Sequence, residues 1–173
     1  IINELLKIEH LSIALKLEFI EIDKPFISEE LLIKAIGMID HYSRNNDDTS
    51  KQIVIVTSSI LYNYREENWD GLKQFLIVVL TRIGFSPSAI MVDDNFDFEN
   101  NRFSSLDSFI DEISASINQL RSEVIIQDKT FLLTDFQKKI YEKSSQSKFI
   151  GISAPTSAGK SFVILLKSIE NIL

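Results

Sequence analysis

Cysteine is absent from these 173 residues, histidine occurs twice, and no apolar run approaches the length of a membrane span. Without cysteine there is no disulfide framework and no thiolate or zinc-thiolate chemistry, a composition that suits a reducing cytosol. A membrane-spanning helix needs roughly 18 or more consecutive apolar residues. The first twenty positions are broken by Glu4, Lys7, Glu9, Lys16 and Glu18, so neither a signal peptide nor an anchor is expected, and a cytoplasmic setting without membrane contact is. The chain opens on Ile1 and not on Met, so an N-terminal stretch is expected to precede it. His10 and His41 stand at no catalytic spacing from a nucleophile or a base, and an amphipathic helix tolerates His at its edge. Asp93, Asp94, Asp97 and Glu99 lack the Gly-centred spacing of a calcium loop, and Asp47 with Asp48 has no partner in sequence, so both groups read as solvated loop acid. The carboxylate pattern of a nuclease and internal repeats are likewise missing.

What is present is unevenly charged. Residues 1–124 hold 11 Lys or Arg against 21 Asp or Glu, net −10, whereas residues 125–173 hold 7 against 4, net +3. An acidic surface repels phosphate, so the first part is a poor candidate for wrapping nucleic acid and a better one for docking on protein. The second part is basic.

Apolar residues in the first part recur mainly at helical spacing. Leu5, Ile8, Leu11, Leu15, Phe19 and Ile22 fit one stripe, against a competing alternation of Ile13, Leu15, Leu17 and Phe19; helix is preferred. Pro25 interrupts. Ser28 then opens a helix with Leu31, Leu32, Ala35, Ile36, Ile39 and Tyr42 on its apolar face. Residues 53–56 are β-branched, yet Ile53, Val56, Ile60, Leu61 and Tyr64 also form a helical face, and helix is again preferred. Residues 69–83 predict a buried helix stopped by Gly84. Residues 93–103 predict a loop, followed by an amphipathic helix built on Leu106, Phe109, Ile110, Ile113, Ile117 and Leu120.

The chemistry lies near the C-terminal end. Residues 148–153 read as a buried strand, Ala154-Pro155-Thr156-Ser157-Ala158-Gly159-Lys160-Ser161 as a turn, and the apolar run after it as a helix. Phosphate binding needs that order. Turn and first-turn N–H groups point at the anion, Gly159 lets the backbone approach, and the helix start adds partial positive charge. Lys160 supplies full charge for the β- and γ-phosphates of ATP, and the Ser161 hydroxyl is the expected Mg²⁺ ligand. The leading glycine of the general phosphate loop is Ala154 here. Upstream, Thr134 and Gln137 have the spacing of a capping box before a helix containing Ile140 and Tyr141.

Ala154 in the glycine's place resembles superfamily 2 helicases, whose first motif reads A-x-T-x-x-G-K-S/T, and the eight residues fit it position by position. Residues 152–161 are similar to large bacterial helicases of the branch that unwinds RNA and repairs DNA; the Hachiman-type anti-phage defence helicase subunit is one such family. The resemblance covers roughly residues 128–173. It implies a RecA-like α/β ATPase domain of which this chain holds the first helix, first strand, P-loop (Walker A) and helix, after a mainly α accessory domain over residues 1–124. It implies ATP and Mg²⁺ as cofactors, DNA or RNA as the motor's substrate, and an adenine-reading glutamine, which Gln137, 23 residues before Lys160, resembles. It also requires a magnesium-holding carboxylate motif and a second lobe, neither of which these residues contain, so the chain alone is expected to hydrolyse no ATP. A competing reading is a helical docking module attached to a non-helicase P-loop ATPase or switch. For the first part, a protein partner or self-association is the expected use.

Overall fold

The computed structural model describes residues 1–69, 71–146, 149–154 and 158–172. It is mainly helical, and its backbone divides into two compact units, Ile1–Ile83 and Gly84–Leu173.

The first unit contains α1 (Ile2–Lys16), α2 (Glu29–Ser43), α3 (Asp48–Tyr64) and α4 (Leu72–Arg82). The starts of α2 and α3 are set by side chains that accept the first free N–H groups: Ser28 Oγ takes Leu31 N–H at 3.3 Å, and Asp47 Oδ1 takes Ser50 N–H at 2.8 Å. The β-branched run at residues 53–56 lies inside α3, where burial of Val54, Ile60 and Leu61 outweighs local strand preference. Leu32, Ala35 and Ile39 of α2 and Leu76, Ile77 and Val79 of α4 complete the core. A polar tie joins α2 and α4: Arg82 Nη1 donates to Asp40 Oδ1 at 2.9 Å and to Ser43 Oγ at 2.7 Å. Arg44 grips the same carboxylate, and these two guanidinium groups hold the Asp40 carboxyl below its usual range.

One expectation changes here. The first helix ends at Lys16, so Phe19 and Ile22 of the proposed stripe fall outside it and are exposed. Glu18 adopts a φ of +59°, a left-handed residue that turns the chain away. The expected stop after α4 is present, with Gly84 at φ +80°.

The second unit contains α5 (Ser86–Val92), α6 (Phe109–Ser122), the strands β1 (Glu123–Ile126) and β2 (Lys129–Leu132), α7 (Asp135–Gln146) and α8 (Lys160–Ile172). β1 and β2 form an antiparallel hairpin, the only sheet among the described residues. Its two-residue turn, Gln127 and Asp128 with φ of +48° and +62°, has the left-handed pair that matches strand twist. Residues 93–103 form the expected loop, but Asp93 within it is buried rather than solvated. Its carboxylate accepts from Asn95 N at 2.9 Å, from Ser104 N at 3.0 Å and from the Ser105 hydroxyl, so it organises the loop. Among the described residues no cluster of His, Asp or Glu could hold a metal ion.

The strand expected over residues 148–153 does not form in residues 149–154, which are irregular; residue 148 lies outside the described residues. A strand exists by pairing, and the hairpin does not extend to this segment. The compact units also part between Ile83 and Gly84, upstream of the division at Val124 suggested by charge. No helix among the described residues is long and apolar enough to cross a membrane.

Candidate nucleotide site

Hairpin, α7 and α8 share one small core. Val124, Ile126, Leu133, Ile140, Tyr141, Val163 and Leu166 are buried in it, with Phe131, Phe136 and Ile152 at its margin. Full burial of a side chain such as Val163 or Leu166 contributes roughly 1.5–3 kcal/mol as an upper bound. That packing fixes the start of α8 against the start of α7. Lys138 Nζ donates to the Glu123 carbonyl and Leu133 N–H to Ser122 O at 2.9 Å, which ties the hairpin to the same body.

The helix starts carry the residues singled out in the sequence. At α7 both arms of a capping box are made: Thr134 N–H donates to Gln137 Oε1 at 2.9 Å, and Gln137 N–H donates to Thr134 Oγ1 at 3.3 Å. With Oε1 so engaged, the amide nitrogen is turned outward and lies against Gly159. A β-carbon built on Gly159 would stand 2.3 Å from Gln137 Nε2. Gly159 itself has φ +70°, a conformation that glycine adopts without strain and other residues do not. The two residues are therefore matched: the backbone angle favours glycine at this position, and any side chain there would have to displace the amide beside it.

From Gly159 the chain enters α8. Lys160 is half-buried at its first position, Nζ donating to the Ala154 carbonyl. Ala158 is half-buried and the Ser161 side chain is exposed on the first helical turn. Pro155, Thr156 and Ser157 lie outside the described residues. The structure thus gathers Gln137, Ala154, Gly159 and Lys160 around one helix start. An ammonium, a glycine backbone and the free N–H groups of a helix N-terminus are, in donor type, a set for an anion with several oxygens. The hydroxyl of Ser161 adds a neutral oxygen of the kind magnesium accepts. By donor type and by the close backbone approach that Gly159 permits, these residues fit the phosphates of a nucleotide.

Behind the site, Tyr141 and α8 carry a polar seam. Lys167 Nζ sits 4.6 Å from the Tyr141 ring centroid and pairs with Glu170. Burial of Tyr141, with its hydrogen bond to the Glu170 carboxylate, raises its hydroxyl to about 12. Glu170 is held below its usual range, chiefly by Lys167 and then by that same hydroxyl. These groups hold α8 to α7. Sequence alone pointed to Gln137 and Lys160 separately; the contact of Gln137 with Gly159 had no signal in spacing. No protein-family model, curated protein or solved structure matches this chain.

Proposed function

We propose that the chain carries the phosphate-binding turn of an ATP-driven nucleic-acid motor of the superfamily 2 helicase kind, the opening of a RecA-like domain, with ATP and Mg²⁺ as its ligands. The observation that carries the reading is the matched pair at the two helix starts: a left-handed Gly159 whose missing side chain leaves room for the Gln137 amide, directly before Lys160.

In this reading Gly159 and the first N–H groups of α8 receive phosphate oxygens, and Lys160 leaves the Ala154 carbonyl to neutralise their charge. Ser161 contributes its hydroxyl to the magnesium, which when bound offsets phosphate charge. Gln137 keeps its cap through Oε1 and offers Nε2 to an acceptor on the base. The Ala154 form of the motif favours the helicase reading over a general P-loop switch. Residues 1–124, net −10, serve as an accessory region that docks on protein and not on the nucleic-acid track.

Photolabelling with 8-azido-ATP in the presence of Mg²⁺ tests the proposal. Label that ATP competes away is expected in peptides containing Gln137 or residues 154–161. Label found only elsewhere, or labelling indifferent to ATP, would remove it.

A further inference from the structure

The first unit has a groove that takes no part in the nucleotide site. It lies between the start of α2 and residues 66–69 and 71–75, has a volume of about 740 Å³ and is open to solvent. That size admits a few side chains of a ligand and not a whole domain. Leu32 and Leu72 are its buried floor, while Phe26 and Ile33 stand at its edge 69% and 62% exposed. Trp69 and Phe75 form the opposite wall, each half-buried. The charged side chains on its described lining are Glu29 and Glu66, and no lysine or arginine lies among them.

We propose that this groove receives a protein segment that presents apolar side chains between lysines or arginines. The apolar wall supplies the driving force, because Phe26 and Ile33 otherwise stay in water. The acidic rim selects the flanks. An acidic or phosphate-bearing ligand meets two carboxylates and no counter-charge, whereas a basic flank pairs with both. The surrounding unit adds to the field: residues 1–83 hold 9 Lys or Arg against 13 Asp or Glu.

Trp69 is the only tryptophan of the chain, so its emission reports the occupancy of this groove directly. The test uses the whole chain and two synthetic amphipathic helices with the same Leu and Phe face, one flanked by Lys and the other by Glu. The Lys peptide is expected to shift Trp69 emission to the blue in a saturable manner, with an affinity that falls as salt rises. Joint replacement Glu29→Lys and Glu66→Lys, and separately Ile33→Asp, alter exposed positions, and each should weaken that binding roughly fivefold or more with the circular dichroism unchanged. The proposal fails if no saturable shift is seen, if the Glu peptide binds as well, if a single-stranded oligonucleotide gives the same shift, or if folded variants bind like the parent.

Discussion

Replacement of Gly159 by alanine perturbs two things at once, and a second substitution separates them. A left-handed alanine costs roughly 1–2 kcal/mol from backbone sterics alone. The new β-carbon would also lie 2.3 Å from Gln137 Nε2, a distance at which something must move. The end of a glutamine is easily moved in general, but this one is held by its other amide atom, which accepts from Thr134 N–H at 2.9 Å. Displacing it loosens the α7 cap, worth about 0.5–2 kcal/mol. Gly159→Ala should therefore cost about 2–3 kcal/mol in the second unit, the sum of those two parts taken at their middle values. In a Gln137→Ala background the collision is gone, and the same change should cost only the backbone part, a coupling of roughly 1 kcal/mol. Urea melts followed by circular dichroism measure the cycle, with Trp69 emission as an internal reference for the first unit. An equal penalty in both backgrounds would refute the contact between Gly159 and Gln137.

Gly84 poses the same question in a stiffer setting. Its φ is +80° and a β-carbon there would lie 2.8 Å from Asp135 Cβ, while Asp135 N–H bonds to its carbonyl at 2.9 Å. Gly84→Ala should destabilise by about 1–2 kcal/mol or more in urea melts, and Asp135→Ala, which keeps the β-carbon, should not relieve it. Leu76, fully buried in α4, should cost roughly 2–5 kcal/mol on replacement by alanine, read as a lower midpoint of the Trp69 transition. Tyr141 predicts a pH effect. Its hydroxyl is raised from 10.0 to about 12, so the stability it contributes is complete below pH 10 and is lost as pH climbs towards 12. Stability measured over that window should fall less steeply in Tyr141→Phe than in the parent chain; parallel curves would show that the tyrosine is not held neutral by the fold.

Much of the helical plan was legible because it rests on local rules. Ser28 stands where a helix needs an acceptor and caps α2, as its place before Leu31 predicts; Asp47, read from the sequence as solvated loop acid, instead caps α3, and Ser108 caps α6 in the same way. Gly84 stopped α4 for the reason a left-handed residue is needed there. The hairpin was not legible: Gln127-Asp128 lacks the Asn-Gly or Asp-Gly signature, and its four-residue strands are too short to show a period. The apolar stripe of α6 misleads in another way. Phe109 and Ile110 are 73% and 77% exposed, and the helix instead buries Ala115, Gln119 and Ser122. Amphipathicity identifies the face that can be buried, and contact with a neighbour decides whether it is. At the candidate nucleotide site the residue types and their order were readable. The apposition of Gln137 and Gly159 depends on how Val163 and Leu166 seat α8 on α7, a long-range consequence of packing that no local pattern contains.

Whether the start of α8 holds a triphosphate is measured most directly by calorimetric titration with ATP and Mg²⁺, on the parent chain and on Lys160→Ala. The parent should bind, with ATP preferred to ADP and AMP weakest, and loss of the ammonium should reduce ATP affinity about tenfold or more, as expected for a charged hydrogen bond to phosphate. Heat of binding that is absent in the parent, or unchanged by Lys160→Ala, would contradict the account.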